Sequence, residues 1–330
     1  MSTPNSEPPD AKSQSSRSAS YVDEYGRRID TLRISLTQRC SFSCFFCHHE
    51  GETGVGNEIK LDDIEKIVKH ASTHGISKVK LTGGEPLLRN DILEIIERIS
   101  PMVTDLSMTT NGFKLEEMAF ALKQAGLSRV NVSIHSLNPE VYFQITGSGD
   151  LEKVKRGVKS AIDVGLTPVK VNMTVLAGYN EDSIWEMMRF AADLGATLQI
   201  IELQLMPDNT PSRLDDLWVD LGPLEEELKK KAIKIEKRDT QNRMLYTIPL
   251  DSKKHVKVEI VKPWRNKSFC EDCTRLRVTS DGKLKPCLYR HDNVVDVFPC
   301  DGQLGNEETI QQAFKQSVLN REPYWRDENR

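Results

Sequence analysis

Between residues 32 and 204, six short β-branched runs alternate with five amphipathic segments, and this alternation restricts the fold more than any other feature. The runs are LRISL (32–36), KVKLT (78–82), DLSMTT (105–110), RVNVSI (129–134), VKVNMTV (169–175) and LQIIELQ (198–204). Apolar residues recur at helical spacing in 61–75, 91–100, 115–126, 151–165 and 181–195, and three of these segments end on Gly126, Gly165 and Gly195, a C-cap signature. Strand–helix units in series predict a parallel sheet with right-handed crossovers. Six units are too few to close an eight-stranded barrel. The expected fold is α/β: an incomplete (βα)6 TIM-like barrel, open at one side, with its chemistry at the C-terminal ends of the strands.

The flanks differ in character. Residues 1–20 are rich in Ser and Pro and predict a disordered tail. Residues 21–204 form the barrel segment, and 205–330 form a C-terminal α+β extension. There DDLWVDLGPLEEELKKKAIKIEK is predicted mostly helical, EEELKKK (225–231) is a solvated helix face, and RMLYTIPL and HVKVEIV pair as a hairpin. With 45 basic and 49 acidic side chains the formal charge is −4, which gives no sign of a nucleic-acid or membrane surface. An anionic substrate would need positive charge gathered locally. No window is apolar enough to span a bilayer, and the N-terminus lacks the apolar core of a signal peptide. A cytoplasmic protein is expected, in which clustered cysteines serve metal or redox chemistry rather than disulfides.

RCSFSCFFCHHEGE places Cys40, Cys44 and Cys47 directly after the first strand. A helical stripe of small core residues would show this spacing, and so would a Cys₃His zinc site completed by His48 or His49. The third possibility is an iron–sulfur cluster. Three thiolates leave one iron of a four-iron cluster open to a small molecule, which accounts for the missing fourth cysteine. After the second strand, KLTGGEP (80–86) puts two glycines where backbone can approach a ligand. C-x₃-C-x₂-C at the end of a first barrel strand resembles the signature of radical S-adenosylmethionine (radical SAM) enzymes. The resemblance implies that the open iron chelates the amino and carboxylate groups of that cofactor. It also implies cofactor contacts at Phe46, at Gly84 with Glu85 beside it, and at Ser133.

A second triad, Cys270, Cys273 and Cys287, lies in CEDCTRLRVTSDGKLKPCL. C-x₂-C is a common zinc half-site, and Cys300 would supply a fourth ligand; the alternative is that Cys300 is a free thiol. Arg275 and Arg277, two apart in an extended segment, point the same way and suit phosphate oxygens. The segment resembles the GTP 3′,8-cyclase family of molybdenum-cofactor biosynthesis, C-x₂-C-x-R-x-R-x-[TS]-x-D-G-x₄-C-L, and the likeness runs from DEYGRRIDTLRISLTQRC to about residue 290. It implies a second [4Fe–4S] cluster whose open iron meets the guanine, and GTP contacts at Arg33, Lys80, Thr109, Lys170, Arg275 and Arg277. Several positions depart from the family pattern. Lys80 stands where Arg is usual, and His135 replaces an Asp. IIELQLMP leaves the cofactor-contacting Met position to Gln204 or Met206, and the chain ends EPYWRDENR without a Gly-Gly terminus.

On this resemblance the chemistry is carried by a radical derived from S-adenosylmethionine and by no catalytic side chain: the 3′ hydrogen of GTP is removed and C3′ closes on C8. The implied partners are GTP, an electron donor and a downstream cyclic pyranopterin monophosphate synthase, with a homodimer as the family's tendency. A zinc-stabilised binding module without chemistry is the rival, and it leaves TGGEP and the strand-end placement of the motifs without a cause.

Overall fold

A computed structural model describes residues 20–52, 56–206, 212–238, 241, 243–297 and 306–326. The barrel strands are β1 (Thr31–Ser35), β2 (Lys78–Thr82), β3 (Asp105–Thr110), β4 (Arg129–Ser133), β5 (Lys170–Thr174) and β6 (Thr197–Ile201). Between them run α1 (Leu61–Thr73), α2 (Ile92–Ile99), α3 (Leu115–Gln124), α4 (Pro139–Thr146), α5 (Leu151–Asp163) and α6 (Ile184–Asp193). Gly126, Gly165 and Gly195 follow α3, α5 and α6 at positive φ, as their place in the sequence predicts. α4 is an addition to the predicted elements. Asn138 caps it by accepting from the Glu140 and Val141 amides, with Pro139 in its first turn.

The remaining elements are α7 (Gly222–Lys231), β7 (Lys234–Lys237), β8 (Met244–Pro249), β9 (His255–Val261), α8 (Lys267–Glu271), β10 (Arg275–Val278), β11 (Leu284–Lys285) and α9 (Glu307–Leu319). The hairpin forms as predicted, by antiparallel pairing of β8 and β9. The helix predicted across 215–237 stops at Lys231, and KIEK becomes the exposed edge strand β7 instead. An edge rich in lysine discourages further strand pairing. Most of EEELKKK is solvated, but Glu225 turns inward to the Tyr246 hydroxyl (2.8 Å) and Lys262.

Among the described residues, eleven strands form one sheet in the order β11-β10-β1-β2-β3-β4-β5-β6-β9-β8-β7. It does not close, so the open barrel is confirmed. β10 joins β1 in parallel at one edge and β9 joins β6 in parallel at the other. The extension thus completes both sides of the barrel. On β1, Leu32 and Ile34 are wholly buried under the helices, while Arg33 faces the opposite side of the sheet and lines the barrel interior. The same alternation on β2 buries Val79 and Leu81 and sends Lys80 inward. The interior is therefore a polar cavity, and the apolar core lies between sheet and helices.

Candidate active site

The cavity has a volume of about 590 Å³, and both cysteine triads line it. So do Arg33, Phe46, Lys80, Gly84, Thr109, Ser133, Lys170, Arg275 and Arg277, so every residue singled out for cofactor or substrate faces one space. Gln204 also lines it, donating to the Tyr289 hydroxyl at 3.4 Å, whereas Met206 is buried against Leu288 and Tyr289. Cys300 lies outside the described residues.

The first triad sits on the loop after β1. The Phe42 amide points at Cys40 Sγ (3.4 Å), the His49 amide at Cys47 Sγ (3.5 Å) and the Asn111 side chain at Cys40 Sγ (3.8 Å). These donors suit sulfur that carries negative charge. Burial pushes the Cys44 thiol up to about 12, so the metal-free chain holds its proton there. Phe46 packs edge-on against His135, ring centroids 5.0 Å apart. His135 is buried and neutral, held down to about 4, and its Nδ1 accepts from the Thr174 amide.

The two glycines of TGGEP serve the chain itself. A Cβ on Gly84 would collide with the backbone carbonyls of Gln38 and Arg39, and one on Gly83 with that of Thr37. The triad loop thus lies directly on the turn, an approach that the sequence attributed to a ligand. Glu85 is buried and accepts from the Thr110 hydroxyl (2.7 Å) and from the Asn111 and Leu87 amides (2.7 and 3.0 Å). It pins the turn after β2 to the end of β3, and with it the asparagine that reaches Cys40.

The second triad starts on α8, which Asn266 caps. A buried trio holds it: Asp23 accepts from Arg27 and Arg321, both at 2.8 Å. Arg27 in turn donates to the Cys270 carbonyl (2.9 Å), and Arg321 to that of Cys273 (2.5 Å). The first residues of the barrel and the segment after α9 thus hold the ligand loop together. The sequence reading missed Asp23, Arg27 and Arg321, because their separation of almost 300 residues hides the contact.

Between the triads, register aligns positive charge. Arg277 stands opposite Arg33, and Arg33 opposite Lys80, across three neighbouring parallel strands. Such strands lie about 4.8 Å apart. Several of the cations are already paired. Arg33 donates to both oxygens of Glu50 (2.9 and 2.5 Å), Lys170 to Glu259 (2.7 Å), and Arg129 to Asp105 (3.0 and 2.5 Å). Others are not. Lys80 reaches only the Asn131 amide oxygen (3.3 Å), and Arg277 Nη1 is buried without a hydrogen bond, 3.9 Å from Glu50. Among the described residues no carboxylate lies within ion-pair distance of Arg275 or Lys80. Burial, with Arg129, Arg33, Lys170 and Arg275 nearby, holds the Lys80 ammonium well below its usual range. Arg129 could have been found in sequence, since it shares the inward alternation of Asn131 and Ser133; Glu50 carries no such signal.

Six free thiols in two sets of three, amide donors aimed at sulfur and surplus positive charge all fit iron–sulfur clusters. Among the described residues, no three His, Cys, Asp or Glu side chains converge as ligands of a single ion would. Thiolates that each bind a different iron need not converge.

Residues 34–191 match the Radical SAM superfamily and residues 196–326 match Molybdenum Cofactor Synthesis C. Structural likeness agrees at the level of fold. Streptococcus suis SuiB bound to S-adenosylmethionine superposes with a TM-score of 0.59 at 14% identity, over 92% of this chain and 68% of its own. Methylornithine synthase (PylB) does so at 0.54 and 12%, over 90% and 84%. An open parallel barrel with three thiols beyond β1 is thereby a radical SAM protein. A probable GTP 3′,8-cyclase of Thermococcus kodakarensis is 49% identical over 92% of this chain and 99% of its own, and one of Pyrococcus horikoshii is 46% identical over 92% and 98%. The chain belongs to the GTP 3′,8-cyclase family, whose cofactors are S-adenosylmethionine and [4Fe–4S] clusters.

Proposed function

We propose that this protein converts GTP to (8S)-3′,8-cyclo-7,8-dihydroguanosine 5′-triphosphate in molybdenum-cofactor biosynthesis. The observation that carries the reading is the surplus of positive charge at Lys80, Arg275 and Arg277, set between two triads of free thiols. Cys40, Cys44 and Cys47 would hold one [4Fe–4S] cluster, and Cys270, Cys273 and Cys287 the other. When bound, these groups and S-adenosylmethionine supply the electron transfer and the removal of the 3′ hydrogen. The chain's own residues bind and orient. Phe46, Gly84 and Ser133 face the cofactor, while Lys80, Arg275 and Arg277, with Arg33, Lys170 and Thr109, hold the nucleotide. Holding the triphosphate fixes where C3′ and C8 lie, and reactions of this kind depend steeply on such placement. The sheet and the helices packed behind it shield one side of the cavity from water.

No helix among the described residues is long and apolar enough to cross a membrane, and the reading places the enzyme in the cytoplasm. It requires an external one-electron donor, and a cyclic pyranopterin monophosphate synthase to take the product onward. Residues 21–204 would serve the cofactor, and 205–330 the second cluster and the guanine. The test is anaerobic reconstitution with iron and sulfide, followed by incubation with S-adenosylmethionine, a reductant and GTP deuterated at C3′. Deuterium should appear in 5′-deoxyadenosine alongside a cyclised nucleotide. Cofactor cleavage without deuterium transfer would overturn the assignment.

A further inference from the structure

Glu50 belongs to none of the motifs, yet it occupies the centre of the cationic row. Its carboxylate accepts two bonds from Arg33 and one from the Thr82 hydroxyl (2.9 Å), with Arg277 Nη1 3.9 Å away. Two guanidiniums and a hydroxyl around one oxyanion form the arrangement that proteins use for a phosphate group. The side chain is only 10% exposed, and the surrounding arginines hold its carboxyl far below the usual carboxylate range. Its backbone is unusual too. His49 and Glu50 both have positive φ, 48° and 55°, a conformation that non-glycine residues adopt where surrounding structure imposes it.

The loop that carries Glu50 starts at Cys47 and leans on the second triad. A Cβ on Gly51 would come within 2.5 Å of the Leu288 carbonyl, next to Cys287. Glu52 accepts from the Ser280 amide (3.0 Å) and hydroxyl (2.6 Å). One segment therefore joins a ligand of the first triad, the arginines and the neighbourhood of the second triad.

We infer that Glu50 takes the place at Arg33 and Arg277 that a phosphate group takes, so that a nucleoside triphosphate binding there must exchange with it. The inference rests on the reading of the cavity as a triphosphate site and adds its selectivity. A ligand with too little negative charge cannot displace the carboxylate, and guanosine gains nothing from these arginines. Exchange also frees a strained loop that begins at Cys47, so binding at the arginines is felt at the first triad.

The test is calorimetry on cluster-loaded wild type and Glu50→Gln with GTP, inorganic tripolyphosphate and guanosine as separate titrants. Gln keeps the shape and removes the competing charge. GTP and tripolyphosphate should each bind the variant at least about tenfold more tightly, the equivalent of one charged hydrogen bond no longer displaced, and guanosine should bind both proteins alike. Equal or weaker triphosphate binding by the variant overturns the inference, weaker binding being what a carboxylate that merely orients the arginines would give. Should the variant fail to load iron, wild type alone decides. Amide exchange across residues 48–52 should quicken when tripolyphosphate binds, and unchanged or slower exchange overturns the inference. If wild type binds GTP no better than guanosine, the triphosphate reading itself fails, while the tripolyphosphate titration still tests Glu50.

Discussion

Lys80→Met should raise the melting temperature of the protein while loosening its hold on GTP. Lys80 enters the cavity with one amide oxygen at 3.3 Å and no carboxylate within ion-pair distance, among Arg33, Arg129, Lys170 and Arg275. Keeping such a cation costs stability in the absence of an anion. Exchanging buried ionic groups for apolar side chains of similar volume is often neutral or stabilising by about 1–4 kcal/mol, and this site is only partly buried, so about 1–2 kcal/mol is expected. At about 2.1 cal/mol/K of unfolding entropy per residue, a chain of this length gains roughly 1.4 °C per kcal/mol, hence a rise of about 1.5–3 °C. The same ammonium, opposite a triphosphate, would supply a charged hydrogen bond of about 1.5–3 kcal/mol, so GTP affinity should fall roughly 10- to 150-fold. Scanning calorimetry and titration calorimetry on cluster-loaded protein, with iron content matched, measure the two effects. A variant that melts lower than wild type, or binds GTP equally well, would refute the argument that Lys80 is a cation kept for the substrate.

Replacing Cys40, Cys44 and Cys47 together with Ala should cut reconstituted iron from about eight to about four per chain and abolish cleavage of S-adenosylmethionine, as iron analysis and product assay would show. Asp23→Asn should leave Arg27 and Arg321 buried without their carboxylate, costing about 3–5 kcal/mol; a lower melting temperature, with iron lost first from the second site, is the expected result. Burial raises the Glu202 carboxyl to about 7 from 4.5. A raised carboxyl contributes its stability below the unfolded value and loses it as pH climbs through the folded one, here roughly 3 kcal/mol between about pH 4.5 and pH 7. Glu202→Gln should therefore match wild type near pH 4.5 and melt higher at pH 8.

Periodicity was enough to place β1 to β6, because half of each strand must face the helices and the other half the cavity. α4 drew no prediction because its eight residues are short and weakly periodic; its one local signal is Asn138 before Pro139, a pair that starts helices. KIEK looked like more helix because four charged or apolar residues carry almost no pattern; only pairing with β8 makes them a strand. At the site, the cysteines were legible from spacing, and the basic residues from a family pattern. Which of those basic residues already have partners was not legible. That depends on the register between β10, β1 and β2, and on Glu50, Asp105 and Glu259 reaching in from distant parts of the chain.

The pairing of β1 with β10 has a consequence for how the protein is made. Thr31 waits for Arg275, and at roughly 5–20 residues per second the ribosome needs on the order of ten to fifty seconds to deliver it. Throughout that interval β1 presents an open, parallel-pairing edge, the kind that recruits strands from other chains. The first triad, carried just beyond β1, is complete from residue 47 onward, whereas the carbonyl of Cys273 has no anchor until Arg321 arrives. Nascent chains should therefore gain the first metal site before the second, and a pause in translation between residues 50 and 275 should favour aggregation through the uncovered edge.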